Sequence, residues 1–554
     1  MDERTPPMTP QLALRVAIIG TCALVMFAVI FFRLWFLQVL SGSQYVAQAA
    51  GNTVRHIPVA APRGQILSSN GTVMVDSQPV PAIEIATPDL PQPVTAANLD
   101  HQPATDYVLV YDPLARLLKM STKPSSCKYT VYTAKGPANH DVQLAPIPCL
   151  IAKGLANASY ANVTIKTNVS PDVRDYIEER ESQFPGVISE QVYLRTYPFG
   201  DMAAQVFGTV GPITQAEESQ KNFKGAGATD IVGQSGLEYE YNQSLQGTDG
   251  FDSVKVNSEN QFEGYGRAHQ PRPGNNLQLS INLGVEKVGL AALKHSIAVN
   301  SPANSGAFVA MDPENGQIYG MGSLPSYNPS LFADGISQST YDKDFRNNPL
   351  APLLNRAIDS PLPDGSTFKV ITATAALQSG IWNAGDVYDD TGEFCFPNST
   401  DCLHNSGEAA YGSVDLERAI QVSDDVFFYH LGYLLNSSPI ATWAHAAGGE
   451  LQKWARLFGI GRPTGVDLPD EASGTLPSPG LMRELWTQER QCDKATGPYA
   501  GHPPHPAVLN SEGDAILSGG CGIANTSVWT SGDNVNTAVG QGYDQVTPLQ
   551  LAVV

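Results

Sequence analysis

Basic residues are scarce in this chain of 554 residues. It carries 33 Lys and Arg against 54 Asp and Glu, which gives a formal net charge of −21. A protein that binds nucleic acid needs a basic surface to neutralise the phosphates. We therefore expect no nucleic-acid partner, and the acidic balance indicates little beyond repulsion of anionic polymers.

The sequence also lacks any C-x-x-C pair, so a zinc site or a thioredoxin-like site is not expected. We expect neither a metal nor a cofactor. Cys22 lies in an apolar segment, and the other six cysteines allow 15 pairings. Pairing of sequence neighbours is the simplest solution, and free buried thiols are the alternative. The neighbouring pairs are Cys127 with Cys149, Cys395 with Cys402, and Cys492 with Cys521.

Long apolar runs are absent except near the N-terminus, where residues 16–32 carry no charge and the apolar character resumes after Arg33. About 20 apolar residues suffice for a helix to cross a bilayer. A cleaved signal peptide is the alternative, but the apolar stretch is too long for one. Arg4 and Arg15 favour a cytoplasmic N-terminus. We therefore predict a cytoplasmic tail over 1–12 and a transmembrane helix over 13–40. The rest of the chain would lie on the extracytoplasmic side of the cell membrane, where disulfides persist.

The remaining chain is too long for one compact domain. Local patterns predict several segments within it. These are a Pro-rich linker over 78–105, a small mixed subdomain over 107–186, a helix over 285–297, a hairpin around "DPENG", a helical stretch over 414–435 and long loops over 470–536.

Ser366 and Lys369 stand at the head of an apolar stretch, "GSTFKVITATAAL". Residues three apart share a helix face, so both side chains should point the same way, with Asp364 or Gly365 near the N-cap. A buried helix disfavours the ammonium form of Lys369, and Ser with Lys is a known nucleophile–base arrangement for acyl transfer. S-x-x-K alone is weak evidence, since "SSCK" at Ser125 also matches and is interpreted as accidental.

Longer motifs make the case more specific. The stretch "GSTFKVITATAAL" resembles the first active-site motif of the class B penicillin-binding proteins, the peptidoglycan D,D-transpeptidases. Other stretches resemble further landmarks of that family, in the right order. Before the Ser366 motif these are "APRGQILSSNG", "LRTYPFGDMAAQVFGTVG", "GQSGLEYEYNQSLQGTDG" and "VAMDPENGQIYGMGSLPSYNP", and after it "VGQGYDQVTPLQLAVV".

This resemblance implies an α+β fold. It comprises the N-terminal transmembrane helix, an elongated mixed pedestal or dimerisation domain over 41–275, and a transpeptidase domain over 276–554 with an antiparallel sheet and helices on both faces. It also implies peptidoglycan stem peptides as substrates, β-lactams as ligands and a SEDS-type membrane glycosyltransferase as partner. A β-lactam sensor and a non-catalytic cell-wall scaffold are the alternative functions.

The resemblance assigns catalytic roles to four residues. Ser366 would attack the carbonyl of the penultimate D-alanine, with Lys369 as the general base, and Ser423 would relay a proton. Asp425 occupies a position that is usually Asn, and an acidic residue there resembles elongation-type members. Because an ionised carboxylate stabilises the ammonium form of Lys369, we expect the Lys369–Asp425 pair to share a proton and titrate as a unit.

Three departures from the family pattern stand out. Ser68 and Ser69 replace Asp-Arg, although Arg63 remains and is predicted to pair with Glu238 for structural reasons. Asp364 replaces a Pro, where it would cap the helix or place a charge beside the nucleophile. No K-T-G occurs, so one oxyanion-hole strand and the C-terminal strands are missing. We expect a truncated form of a longer enzyme, inactive as it stands, with a naturally inactive protein as the alternative.

Overall fold

The computed structural model describes residues 10–37, 54–92, 94, 98–133, 136–157, 162–226, 230–256, 262–397, 399–400, 402–437, 446–496, 508–509, 515–516 and 529–554. The architecture is α+β, as predicted. The chain divides into two compact units. One comprises Met1–Pro62 with Gly247–Gly274, and the other comprises Arg63–Gln246 with Asn275–Val554.

The first unit contains the apolar helix Pro10–Trp35. Its segment Ala17–Trp35 has 19 residues with a mean hydropathy of 2.3, and none of it is buried. Among the described helices, this one is long and apolar enough to cross a membrane. The same unit contains three antiparallel strands, Val54–Val59, Gly250–Val256 and Phe262–His269, with Gly250–Val256 in the middle.

In the second unit, a five-stranded sheet is built around the long strand Val73–Ile85. The prediction of a linker over 78–105 is therefore wrong for its first eight residues, which belong to this strand and bury Ala82, Ile83 and Ile85. Pro79 and Pro81 concealed the strand, because a proline cannot donate to a sheet ladder. Here they are tolerated because this part of the strand pairs on one side alone. The other strands of the sheet are Leu277–Gln278, Ile66–Leu67, Val163–Lys166 and Val187–Thr196.

The mixed subdomain around residues 107–186 has its own apolar core, which includes Tyr111 and Ile151. The predicted disulfide between Cys127 and Cys149 is confirmed and joins the hairpin to a helix. The hairpin strands are Ser125–Thr133 and Gly136–Leu144, and the helices are Thr87–Asp89, Ala104–Asp106, Tyr107–Tyr111, Asp112–Leu117, Pro146–Asn157, Pro171–Glu178 and Glu181–Gln183.

Glu238 lies at the centre of a buried cluster of charges in the second unit. The predicted pair with Arg63 is confirmed, with Nη2 2.8 Å from Oε2. Arg195, which the sequence analysis missed, binds the other carboxylate oxygen at 2.6 Å. The short elements around this cluster are Ala204–Phe207, Val210–Pro212, Gln215–Glu218, Lys221–Phe223, Ile231–Gly233, Gly236–Glu240 and Asn242–Leu245.

The predicted helix–hairpin pattern is confirmed by helix Leu283–Val299 and the antiparallel strands Gly306–Met311 and Ile318–Leu324. The helix packs closely on the hairpin, since a Cβ at Gly289 would lie 2.2 Å from the Phe308 ring. Helices Arg356–Asp359 and Pro548–Val553 also contact the hairpin.

Helices dominate the rest of the second unit. The prediction of long loops over 470–536 is wrong for Pro479–Thr496 and for the start of Ser531–Thr537, which are helical, and most of 497–528 lies outside the described residues. Helix Pro479–Thr496 begins with Pro at its first position, and Ser478 Oγ accepts a hydrogen bond from the Leu481 N–H, which is a typical helix start. The Gly- and Pro-rich flanks obscured this signal. The other helices are Ser330–Ala333, Gln338–Tyr341, Asp342–Arg346, Arg356–Asp359, Gly365–Phe368, Lys369–Gln378, Ser406–Glu408, Leu416–Val422, Asp425–Ser437, Glu450–Leu457, Ser531–Thr537 and Pro548–Val553.

Three short strand pairs accompany these helices. The pair Glu393–Cys395 with Cys402–His404 is closed by the predicted Cys395–Cys402 disulfide, which is confirmed. The predicted Cys492–Cys521 pair lies outside the described residues. The remaining pairs are Tyr388–Asp390 with Gly412–Val414 and Val508–Leu509 with Ala515–Ile516.

Candidate active site

Ser366 lies in a single 3-10 turn, Gly365–Phe368, that leads directly into the helix Lys369–Gln378. The expected first α-helical turn is therefore a tighter turn. Gly365 has a φ of +55°, which glycine adopts without strain, and this turns the chain so that Ser366 is exposed. Asp364 stands at the N-cap position, as expected, but its side chain makes no capping hydrogen bond. Of the two roles considered for it, capping is therefore wrong.

Lys369 is buried, with 2% of its surface exposed. Its Nζ donates to Ser423 O at 2.8 Å, to Ser423 Oγ at 3.0 Å and to Asp425 Oδ1 at 2.6 Å. These three acceptors match the three N–H groups of an ammonium ion. The side chain also passes over the Phe428 ring, 5.5 Å from its centroid.

Ser423 separates two helices, whereas the sequence predicted one continuous helical stretch over 414–435. Helix Leu416–Val422 ends at Ser423, which has a φ of +58°, and the next helix begins at Asp425. A left-handed serine is strained, and such strain is commonly found at functional sites. Here the break directs both the carbonyl and the hydroxyl of Ser423 to Lys369, which an unbroken helix could not do.

The two acidic residues after Ser423 have different surroundings. Asp425 starts its helix, where the helix dipole favours a negative charge, and it contacts Lys369. Asp424 is fully buried and accepts a hydrogen bond from the Phe427 N–H at 2.8 Å. Burial, followed by the charge of Asp390, raises the pKa of Asp424. Asp425 is thus the carboxylate that belongs to the lysine site.

A hydrogen-bonded chain connects the buried lysine to the exposed serine. Ser423 Oγ accepts from Lys369 Nζ and donates to Ser366 Oγ at 2.9 Å. Ser366 and Lys369 are thus bridged by Ser423. The structure brings all four sequence-predicted residues together in the order Ser366, Ser423, Lys369, Asp425.

The second S-x-x-K match has no such surroundings. Ser125 and Lys128 lie on a strand, and the Lys128 side chain is 76% exposed. One cluster with metal-ligand spacing occurs among the described residues, formed by Glu393, Cys395 and Cys402. The disulfide occupies both of its sulfur atoms, so it is unsuited to a metal ion.

Comparisons with known proteins identify two domains in this chain. Residues 58–279 match the family model of the penicillin-binding protein dimerisation domain, and residues 306–554 match that of the penicillin-binding protein transpeptidase domain. The chain belongs to the penicillin-binding protein family.

Named relatives cover most of the chain. The peptidoglycan D,D-transpeptidase MrdA of Acinetobacter baumannii is 27% identical over 94% of this chain and 63% of its own length. The peptidoglycan D,D-transpeptidase PbpA of Mycolicibacterium smegmatis is 30% identical over 60% of this chain and 67% of its own length. The chain therefore spans about two thirds of the length of these relatives.

A solved structure shares the fold. PBP2 of Helicobacter pylori, in a complex with MreC, has a TM-score of 0.62 with 21% identity, covering 90% of this chain and 75% of that one. This likeness confirms the predicted fold, in which a dimerisation domain precedes a transpeptidase domain.

Proposed function

We propose that this protein is a serine D,D-transpeptidase that cross-links peptidoglycan and is acylated by β-lactams. The observation that carries the proposal is the continuous chain of hydrogen bonds from exposed Ser366 through Ser423 to buried Lys369 and Asp425. The named relatives support it, since both are peptidoglycan D,D-transpeptidases.

The first half-reaction forms the acyl-enzyme. For the attack, the two hydrogen bonds of Ser423 Oγ reverse, so that Ser366 donates to Ser423 and Ser423 donates to Lys369. Ser366 Oγ then attacks the carbonyl carbon of the penultimate D-alanine while its proton passes to Ser423 Oγ, whose own proton passes to Lys369 Nζ. Lys369 can accept it once its third proton has moved to Asp425, 2.6 Å away. The C–N bond then breaks, and the terminal D-alanine leaves with a proton returned along the same chain.

The second half-reaction forms the cross-link. An amine of a neighbouring stem peptide attacks the ester of Ser366, gives up one proton to the relay and restores the serine hydroxyl. The Ser366 N–H donates to no described residue, so it is free to stabilise the oxyanion in both halves. A β-lactam acylates Ser366 in the same way, with its ring amide in place of the D-alanyl amide. The C–N bond that breaks opens the ring, so the amine takes up the proton but stays attached to the acyl group.

The apolar helix and the disulfides support the proposed location. Pro10–Trp35 would be a single membrane anchor, with the catalytic unit on the extracytoplasmic side, where the two confirmed disulfides persist. We also propose an elongation role, a SEDS-type glycosyltransferase as partner and an interaction like that of the Helicobacter pylori relative with MreC.

Labelling with a fluorescent penicillin tests the proposal. The full-length gene product in membranes should be labelled. Ser366→Ala should lose the label, and Ser125→Ala, at the other S-x-x-K match, should label like the unmodified protein. Release of D-alanine from a stem peptide, with cross-link formation, then separates a transpeptidase from a β-lactam sensor. Absence of labelling would contradict the proposal and leave the scaffold function.

A further inference from the structure

The turn that carries Ser366 is held by residues 540–546, which we call the clamp segment. Gly365 donates its N–H to Gly540 O at 2.9 Å. Leu362 and Val546 exchange two backbone hydrogen bonds, at 3.0 and 2.9 Å. The backbone is therefore fixed on both sides of Asp364, two residues before the proposed nucleophile.

The contact between the turn and the clamp segment leaves no room for a side chain. Gly540 has a φ of +68°, and a Cβ placed there would lie 2.2 Å from Gly365 O and 2.4 Å from Asp364 Oδ1. The position of Ser366 thus depends on how closely the clamp segment approaches Asp364.

Two carboxyl groups meet in this contact, those of Asp364 and Asp544. Asp544 is fully buried, and all four carboxyl oxygens are shielded from solvent. Within the part of the chain that the structure describes, no side-chain donor or cation pairs with either carboxyl. The backbone N–H groups of Asp364 itself and of Gln545 lower the two pKa values, but by less than burial raises them. Two ionised carboxylates in such a place would repel each other at a high desolvation cost.

A single shared proton resolves this conflict, because it forms an O–H···O hydrogen bond between the two side chains. Burial raises the pKa of Asp364 to about 6. Burial, followed by the charge of Asp364, raises the pKa of Asp544 to about 9. The pair therefore loses its protons in two steps and keeps one at neutral pH.

Other ionisable residues on the surrounding segments have different partners. Lys369 donates to Asp425, and Glu471, near the strand bridge to the clamp segment, accepts from Thr464. Tyr543 is the other ionisable residue of the clamp segment. Among the described residues, each carboxyl is the titratable group that acts on the other.

We propose that Asp364 and Asp544 share one proton at neutral pH and that the resulting hydrogen bond positions the Ser366 turn for acylation. They are positioning residues, since neither contacts the relay. Loss of the shared proton would place two negative charges in contact, loosen the clamp segment and move Ser366 away from Ser423. The inference rests on the proposed acyl transfer, and its test is designed to separate the two.

The experiment measures the rate of acylation by a fluorescent penicillin from pH 6 to pH 10, with binding and acylation steps resolved. In the unmodified protein the acylation step should fall as pH rises through about 9. Asp544→Asn keeps a neutral hydrogen bond to Asp364 without a titrating proton, so it should acylate within a few-fold of the unmodified rate at pH 7 and lose that alkaline decline.

Asp544→Ala should slow the acylation step about tenfold at pH 7 with little change in penicillin binding, as expected when an orienting contact is lost. Glu286→Gln is the matched control. Glu286 is also a buried acid, and burial raises its pKa to about 7, but it binds the Met321 N–H beneath the hairpin. This variant should retain the alkaline decline.

The outcomes discriminate between explanations. An unchanged alkaline decline in Asp544→Asn would overturn the inference, as would an unmodified acylation rate in a folded Asp544→Ala. If Asp544→Ala does not fold, the alkaline decline of Asp544→Asn alone tests the inference. If the unmodified protein is not acylated at all, the proposed function fails, and unfolding then tests the shared proton.

The unfolding test has a definite sign. Because the folded-state pKa values of the pair are raised, the stability that the pair contributes is fully present below about pH 4 and is lost as pH rises through about 6 and 9. The loss of folding stability near pH 9 should be missing in Asp544→Asn and present in Glu286→Gln. Equal pH dependence in all three proteins would contradict the shared proton.

Discussion

Two clusters of buried charge in this protein have opposite designs. Glu238 is fully buried and receives two guanidinium groups, from Arg63 and Arg195. Lys369 is a single buried cation that faces one carboxylate and both oxygens of Ser423. The first cluster is closed within the protein, and the second continues through Ser423 to an exposed hydroxyl.

The electrostatics of Glu238 explain the closed design. Burial alone would raise its pKa, but Arg195 and Arg63 outweigh burial and lower it. The Glu238 carboxyl is thus kept ionised. Its ion pairs with Arg63 and Arg195 join segments that are distant in sequence.

Lys369 has one counter-charge, Asp425, and its hydrogen bonds to Ser423 provide a route for protons. Both clusters bury charge, so burial does not distinguish the candidate active site. What distinguishes it is the hydrogen-bonded chain that connects buried Lys369 to exposed Ser366.

The largest effect is expected from Lys369→Met, which removes the amine and retains the apolar volume. Acylation should slow by about 10²–10⁴-fold, as is typical for the loss of general acid–base catalysis. The measurement is the rate of labelling by a fluorescent penicillin. Lys128→Met, in the exposed S-x-x-K match, is the control and should react normally. A Lys369→Met rate within threefold of the unmodified protein would contradict the relay.

Glu238→Gln should destabilise the protein by about 3–5 kcal/mol, because two buried guanidinium groups lose their counter-charge. Denaturant unfolding at pH 7 measures the change, and the exposed Glu179→Gln is the control. Since the pKa of Glu238 is lowered on folding, its contribution is present above about pH 4.5 and is lost as pH falls. In the variant, folding stability should not show this loss as pH falls. A change in the free energy of unfolding smaller than about 1 kcal/mol would contradict a stabilising role for the Glu238 cluster.

Arg63→Lys keeps the charge in the closed cluster but removes the planar fork, whose Nε and Nη2 both bind Glu238 and whose Nη1 binds Asn242. A lysine cannot make these contacts together, so we expect a loss of about 1–2 kcal/mol in the free energy of unfolding. Acylation per folded molecule should not change. A large fall in that rate would show that the cluster reaches the catalytic site.

The smallest effect is expected from Asp425→Asn, which removes the negative charge beside Lys369. The ammonium form loses its counter-charge, so the pH profile for acylation should move. Stopped labelling reactions between pH 4 and pH 8 measure this shift. An unchanged profile would contradict coupling between the lysine and the carboxylate.

Local patterns predicted the parts of the site that are close in sequence. The spacing of Ser366 and Lys369, the apolar residues that follow them and the hairpin around "DPENG" are short-range features. The break at Ser423 was missed because its neighbours have a helical pattern on both sides. The strand at Val73–Ile85 was missed because prolines normally exclude central pairing, and nothing local shows that one side of that stretch is unpaired.

The sequence by itself determined the apolar N-terminal helix and the family pattern, because each depends on composition or on spacing within short motifs. It predicted the Cys127–Cys149 and Cys395–Cys402 pairs as the simplest solution, which the structure confirms. The tertiary structure alone decided that Arg195 joins Arg63 at Glu238 and that Asp544 meets Asp364. Those contacts join segments far apart in the chain, so they depend on how helices and strands pack, and burial then sets which of the carboxyl groups keep a proton.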